Sequence, residues 1–533
     1  MKKVLTVTVA VLLVVVLMGN AAGMQGPPEQ ARGPNQQATE KIPDHAEAKL
    51  PFLPEVEEVM GQVDGERIWE DTRAMSGAVE AWPNEYDYAG LNNPGSGADY
   101  GIRVASSKEE AQTAAWIEEQ FREMGYNVEQ QEFPYVGIVP YLHDGEYLLP
   151  VRAQRMGIDW DIFGEDGRVS VSGEISRVGT VCSDMDFDQI DFSDAEGKIA
   201  LIELEDEWGG PFYSMDAYLD DLHDLGYDWV TPYSGLWSPD ITEGLEKAQE
   251  AGAKALIVQN GGWRSWFDPR VSGIEVEIPF ASVASYVGED RLSDGVEVTL
   301  EVLVEDTSQN VIATREPLGG SDENTPMVIF CAHYDTVAAA PGASDNTSGT
   351  ATLLEIARIF ADYNLPVELR FAAVGAEEVG LIGSYYHAQS LTDEEIERTI
   401  GNWNFDMTGT AWPHTDHLFM ATQGGETPEE NVVAKNAVEA ADILGFEKLI
   451  VVERGASDHV RYWQVGIEAA NHIWREPETI DLEPIYHTSQ DTMEFICPDR
   501  LEIATQIGIG GSYLAMLEEI HQVLSGLAPA GLN

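Results

Sequence analysis

Basic residues are scarce in this sequence. Lys and Arg number 30 against 93 Asp and Glu in 533 residues, a formal net charge of −63. A surface this negative repels phosphate backbones, which excludes nucleic acid as a partner, and it disfavours anionic membrane surfaces. Cysteine is nearly absent. Cys182, Cys331 and Cys497 stand far apart and form no CxxC pair, so they build no disulfide framework. They read as small buried hydrophobes, with at most one bridge whose pairing stays open. Three catalytic signatures are also missing. Without HExxH there is no thermolysin-like zinc helix, and without GxSxG no serine-hydrolase elbow. No Walker A loop occurs, and Gly508-Ile509-Gly510-Gly511 lies inside a helical pattern without a GxGxxG.

What is present is a large folded protein. Hydrophobic residues make up 44% and aromatics 9%, which excludes a disordered or collagen-like chain over most of the length. The length corresponds to about three to four domain equivalents. At the N-terminus, Lys2 and Lys3 precede an apolar run from Val4 to Met18, followed by the small residues Gly19-Asn20-Ala21-Ala22-Gly23. The run is shorter than the roughly 18 residues that span a bilayer, and the layout is that of a secretory signal peptide over 1–22. No cysteine follows to carry a lipid, and no other stretch is apolar enough to span, so the mature chain is expected to be exported without a membrane anchor. Residues 23–52, rich in Gln, Pro, Gly, Ala and Glu, read as a linker or pro-segment. Nothing in the sequence speaks to oligomeric state.

Residues 53–139 open an α/β domain. Ala111, Ala114, Ala115, Ile117, Phe121 and Met124 recur at helical spacing up to Gly125, and Asn127–Phe133 alternates like a strand. Residues 140–296 have a different texture, with short apolar runs such as Ile199–Ile202 and Ala255–Val258 between loops rich in Trp, Gly and Asp. A short helix is expected over Gly244–Gly252. The phrases from Gly197 to Ile202, from Ala251 to Ile257 and from Ile278 to Val283 resemble a protease-associated domain. Such a β-rich insertion implies contacts with substrate or partners. From 297 to 533 strands and helices alternate: Val328–Cys331, Val367–Val374, Trp403–Met407 and Leu418–Ala421 as strands, Thr350–Phe360, Val432–Leu444 and Arg500–Leu524 as helices. This pattern predicts an α/β fold with a mostly parallel mixed sheet covered by helices on both faces, whose ligands bind at the carboxyl ends of the strands.

The chemistry-bearing residues fall just after those strands. His333-Tyr334-Asp335 follows the first; two residues apart, Asp335 is expected to orient the His333 ring. Gly342-Ala343-Ser344-Asp345-Asn346-Thr347-Ser348-Gly349 precedes a helix, Glu377-Glu378 ends a strand, Asp406 follows Trp403-Asn404-Phe405, and His487 sits in Tyr486-His487-Thr488-Ser489-Gln490-Asp491. Each piece alone is weak, since a lone His is more often structural and a strand-end Asp more often a helix cap. As a set of imidazoles and carboxylates without thiolate, they suit zinc, with cobalt or manganese as substitutes.

The ordered set H-x-D, G-A-S-D-N-T-S-G, E-E-V-G-L-I-G-S, D-M-T-G and Y-H-T-S-x-D-T resembles the co-catalytic two-zinc aminopeptidases. That family includes secreted bacterial leucyl aminopeptidases, with glutamate carboxypeptidase and glutaminyl cyclase as relatives. The resemblance implies two Zn2+ bridged by Asp345, one also held by His333 and Asp406, the other by Glu378 and His487. It implies Glu377 as general base, Tyr486 as the hydroxyl supporting the developing oxyanion, and a cis bond from Asp345 to Asn346. Ser457-Asp458-His459 resembles a family segment near the substrate pocket, and a capped helix start explains it equally well. The sequon Asn346-Thr347-Ser348 lies inside the metal motif and reads as coincidence, while His387, His414, His417 and His472 read as structural or exposed.

The expectation is therefore a secreted zinc metallo-exopeptidase acting on peptides, most simply an aminopeptidase. A carboxypeptidase needs arginines for the terminal carboxylate. Only Arg454 and Arg475 are expected in the later pocket-forming loops. A glutaminyl cyclase with one zinc is the other alternative. The acidic excess reads as halophilic adaptation: self-repulsion destabilises a compact chain unless screened, and at about 1 M salt the Debye length falls to about 3 Å. Melting temperature and activity are accordingly expected to rise from dilute buffer into molar NaCl, and equal stability in both media would sink the saline reading.

Overall fold

The computed structural model describes residues 53–76, 102–145, 148–149, 151–153, 162–164, 166–181, 187–204, 240–259, 269–283, 285–321, 324–338, 340–424, 427, 430–483, 485–487 and 491–527. The signal-peptide and linker segments, Cys182 and Thr488-Ser489-Gln490 lie outside the described residues. Among those described, no helix is long and apolar enough to cross a membrane.

Among the described residues, thirteen strands are hydrogen-bonded into one sheet. In chain order they are β1 (Asn127–His143), β2 (Leu148–Leu149), β3 (Arg168–Val181), β4 (Ile199–Leu204), β5 (Ala255–Gln259), β6 (Phe280–Val283), β7 (Glu297–Arg315), β8 (Met327–His333), β9 (Glu368–Val374), β10 (Thr399–Phe405), β11 (His417–Thr422), β12 (Leu449–Glu453) and β13 (Ala469–Arg475). Their spatial order is β12-β11-β13-β10-β8-β9-β7-β3-β4-β5-β6, with β1 pairing β7 and β2. The run β13-β10-β8-β9 is parallel, as is β3-β4-β5-β6, while β7 is antiparallel to β1, β3 and β9.

Burial on both faces explains the strand compositions. Met327-Val328-Ile329-Phe330-Cys331-Ala332-His333 is buried throughout, as a parallel central strand must be. Alternate residues serve opposite faces. Val328, Phe330, Ala332, Phe371 and Ala373 join the large core with helices Gly349–Ala361 and Pro498–Leu527. Met327, Ile329, Cys331, Ala372 and Val374 pack on the other side against Ala388 and Tyr462. A third cluster, built from Ile138, Leu142, β4, β5, β6 and the first half of β7, belongs almost entirely to residues 140–296. The paired ribbon of β1 and β7 runs through both cores, with a register shift between Pro134 and Gly137.

Helix ends follow local chemistry. Ser107 accepts from the Glu110 N–H to start Lys108–Glu123, and Asn431 accepts from Val433 and Ala434 to start Val432–Leu444. One expectation is corrected by the fold: Arg475 is the last residue of β13, buried, with Nη1 donating to the Ile480 carbonyl at 2.9 Å, and is not a loop residue.

Phe371 is the hub of the large core, stacked on Phe330 at 4.7 Å and edge-on to Tyr126 at 5.3 Å. Phe371→Ala is expected to cost about 3–5 kcal/mol. A lowered midpoint of chemical unfolding at unchanged m-value would register it.

Candidate metal centre

Because β8, β9, β10 and β13 are parallel, their carboxyl ends share one rim. His333 is the last residue of β8, Glu377 and Glu378 follow β9, Asp406 follows β10, and His487 lies on the segment after β13. Asp345 comes from the turn Ala343–Ser348 that leads into the helix Gly349–Ala361. Gly342 opens that turn at φ +63°, where an added Cβ would lie 2.3 Å from the Asp345 carbonyl oxygen. The Asp345–Asn346 peptide is cis.

The expected ligands converge. Asp345 turns one carboxylate oxygen to each histidine: Oδ1 lies 3.3 Å from His333 Nε2, and Oδ2 lies 2.9 Å from His487 Nε2. His333 Nε2 is also 3.7 Å from Asp406 Oδ1 and 3.9 Å from Glu377 Oε2, and His487 Nε2 is 3.0 Å from Glu378 Oε2. Two groups result, His333 with Glu377 and Asp406, and Glu378 with His487 and Asp345. Asp406 Oδ1 is buried and accepts no hydrogen bond from the described residues. Nitrogen and oxygen donors gathered in two adjacent groups fit a pair of zinc-type cations.

Burial and crowding set the electrostatics. Burial alone would lower the His333 imidazole, but Glu377, Asp335, Asp345 and Asp406 outweigh it and raise it well above its ordinary value. Burial raises Glu377 well above the usual carboxylate range, helped by Asp458, Glu378 and Asp406 and opposed by His333. Asp345 is held low in spite of burial, by His333 and His487. Tyr486 stacks on the His487 ring with centroids 3.7 Å apart. Burial and then Asp345, Glu378 and Glu377 raise its hydroxyl well above the ordinary value, so it keeps its proton at neutral pH.

The supporting loops have left regular strand geometry, so their amides need acceptors. Asp335 supplies them: Oδ1 accepts from Glu377 N at 3.0 Å and Oδ2 from Glu378 N at 3.2 Å. This role comes in addition to the expected one, since Asp335 Oδ1 also lies 3.5 Å from His333 Nδ1. The nearer acceptor for His333 Nδ1 is the Asp335 carbonyl oxygen at 3.2 Å, against 3.5 Å for the carboxylate. The chain leaves the strand after His333, which frees the Asp335 side chain to turn towards the 377–378 amides.

Four groups had no role assigned from sequence. Asp491 accepts from Ser344 N at 2.7 Å and Asp345 N at 3.0 Å. Glu110 accepts from Ser106 N, the Ser308 hydroxyl and Ala376 N. Arg103, fully buried, donates to the Tyr334 and Pro341 carbonyls and to the Thr347 hydroxyl. Arg152 Nη2 donates to the His487 carbonyl at 2.7 Å. Only Asp491 lay within a quoted motif; the other three come from distant stretches with no local signature.

Asp458 does not cap its helix, since its side chain makes no capping bond. Its carboxyl is fully buried and pushed up to about 7, first by burial and further by Asp335 and Asp406, with His333 opposing. Asn346, Thr347 and Ser348 are all buried, and Asn346 Nδ2 donates to the Phe405 carbonyl. His387 bonds the Tyr462 hydroxyl, His472 faces the Asn404 carbonyl and His417 pairs with Asp416.

Residues 310–509 match peptidase family M28. Aminopeptidase YwaD of Bacillus subtilis (strain 168) is 38% identical over 285 residues, which cover 52% of this chain and 61% of that protein. Leucine aminopeptidase 2 of Trichophyton equinum is 35% identical over 181 residues, 31% of this chain and 34% of the relative. The chain thus spans less than two thirds of these curated relatives. Among solved structures, BSAP, a zinc aminopeptidase from Bacillus subtilis, superposes with a TM-score of 0.55 at 29% identity, covering 88% of this chain and 96% of that one.

His487 yields a test of the site's charge state. Burial would lower its imidazole, but Glu378 and Asp345 outweigh burial and raise it from 6.5 to about 10. A raised folded value contributes stability that is present in full below about 6.5 and lost as pH rises through about 10. Stripped by chelator, the protein is expected to lose melting temperature over that window. Zinc added near pH 7 should release protons, and fewer above pH 10; pH-stat titration without proton release at pH 7 would contradict this.

Proposed function

We propose, from the match of residues 310–509 to peptidase family M28, that the chain is a zinc-dependent aminopeptidase that uses two ions to remove N-terminal residues from peptides. The observation that carries this reading is the single carboxylate of Asp345 facing both His333 and His487, with Asp406 beside the first and Glu378 beside the second. The named relatives that are aminopeptidases support it.

Zinc bound there would polarise the scissile carbonyl and acidify a water. His333 and Asp406 would hold one ion, Glu378 and His487 the other, with Asp345 between. Glu377, raised by burial, is suited to take a proton from the attacking water and deliver it to the leaving amine. The protonated Tyr486 hydroxyl is suited to donate to the carbonyl oxygen as charge develops on it. Asp335 fixes the backbone from which Glu377 and Glu378 project.

Specificity for the amine end has two supports. A free α-ammonium is favoured among carboxylates. The buried arginines are otherwise engaged: Arg103, Arg152 and Arg475 donate to backbone carbonyls. The proposal extends to an exported, salt-adapted enzyme, on the strength of the N-terminal layout and the charge of −63. It also extends to residues 140–296 as a protease-associated insertion, supported by their separate hydrophobic cluster.

A panel of amino-acid p-nitroanilides and N-blocked peptides, with and without chelator, tests the reading. Free-amine substrates are expected to be cleaved and chelator to abolish cleavage; cleavage of blocked peptides alone would overturn it. Glu377→Ala is expected to retain its metal, counted by elemental analysis, while turnover falls about 10²–10⁴-fold. Near-normal turnover would remove Glu377 from the role of base.

A further inference from the structure

A residue from the 140–296 stretch reaches His487. The chain at Val151–Ala153 follows β1 and β2, and Arg152 is clamped there by a two-way backbone bridge: its N–H donates to the Ser282 carbonyl at 3.0 Å, and the Ser282 N–H donates to the Arg152 carbonyl at 2.9 Å. Ser282 belongs to β6, whose residues lie in the hydrophobic cluster of residues 140–296. The Arg152 side chain, fully buried, crosses to the candidate metal centre and gives Nη2 to the His487 carbonyl at 2.7 Å.

Two further observations single out this contact. His487 holds φ +60°, a left-handed backbone that a non-glycine residue adopts only where its surroundings hold it. The next residue, Ala153, lines a pocket together with Glu378, Ile138 and Val337. Consecutive residues of one short stretch thus approach both His487 and Glu378, the two side chains that share a single proposed ion position.

We propose that Arg152 is a positioning residue for His487, through which residues 140–296 set the affinity of the ion position formed by Asp345, Glu378 and His487. The inference rests on the two-ion reading above. A charged guanidinium donating to the ligand's own carbonyl fixes the left-handed turn and so the direction of the imidazole. Groups that orient a ligand in this way are worth roughly ten- to a hundredfold in metal affinity. Arg152 bonds the His487 segment, and the position formed by His333 and Asp406 is expected to be indifferent to it.

The test uses the full chain loaded with cobalt(II). Arg152→Met keeps the apolar stem and removes every donor. It is expected to bind the second cobalt ion roughly ten- to a hundredfold more weakly in chelator competition, to lose the part of the visible spectrum belonging to that ion, and to bind the first ion as the unmodified protein does. Arg152→Lys, which keeps one charged donor, is expected to recover part of the affinity. Both ions bound by Arg152→Met with unmodified affinity and spectrum would overturn the inference. A measurement on the unmodified protein covers the case in which the variant does not fold. Coupling is reciprocal, so saturating zinc should slow hydrogen exchange at the Arg152 and Ser282 amides. Unchanged exchange at both overturns the proposal. Should the unmodified protein bind no metal, the functional reading falls and this inference with it; an intact two-ion hydrolase with an indifferent Arg152 removes the inference alone.

Discussion

Carboxylate crowding is the constraint around which this molecule is organised. Asp345, Glu377, Glu378 and Asp406 converge on His333 and His487, and Asp335, Asp458 and Asp491 are buried directly behind them. Buried charges of one sign are strongly unfavourable unless protons, hydrogen bonds or cations compensate them. The protein supplies some of each. The two imidazoles stay protonated in the absence of other cations, Arg103 stands behind the cluster, and Glu377 and Asp458 are driven towards their neutral forms. A cluster that must bind protons to tolerate itself is also one that binds divalent cations well, since a doubly charged ion replaces protons without enlarging the site.

The second requirement is rigidity, and here buried carboxylates act on backbone rather than on ligands. Asp335 holds the amides of Glu377 and Glu378, Glu110 holds Ala376, and Asp491 holds Ser344 and Asp345. Each uses the two acceptor oxygens of a carboxyl group to satisfy irregular backbone that no neighbouring strand can reach. The parallel strands bring the loops to one rim, and this inner layer of acceptors then fixes their shapes. Strand order alone would bring the side chains near one another; it would not aim them.

What could be read from the sequence follows the same division. The strands, the long helices and the residues after β8, β9 and β10 were legible, because a buried parallel strand is a continuous apolar run and its ligands stand immediately beyond it. The layer beneath was largely hidden. Arg103, Glu110 and Arg152 are separated from the residues they support by more than 200 positions and carry no motif of their own. Asp335 was visible as a neighbour of His333, but its bonds to the Glu377 and Glu378 amides were not, because they depend on a loop some forty residues away. Asp458 was read equally well as a helix cap, a reading that local sequence favours at any Ser-Asp pair before a helix; only burial beside Asp335 and Asp406 separates the alternatives.

The acidity of the chain therefore has two parts with different physics. Surface carboxylates interact through solvent, and dissolved salt screens them over a few ångströms at molar concentration. Those at the rim of β8, β9 and β10 are buried, where mobile ions do not enter as a screening atmosphere and interactions are stronger for the lower effective dielectric. Brine can relieve the first set and leave the second almost untouched. The second can be neutralised only by charges in fixed positions, which means protons on Glu377, Asp458 and the two imidazoles, or cations held between Asp345 and its neighbours. Surface carboxylates can thus be added without disturbing the electrostatics of the buried cluster.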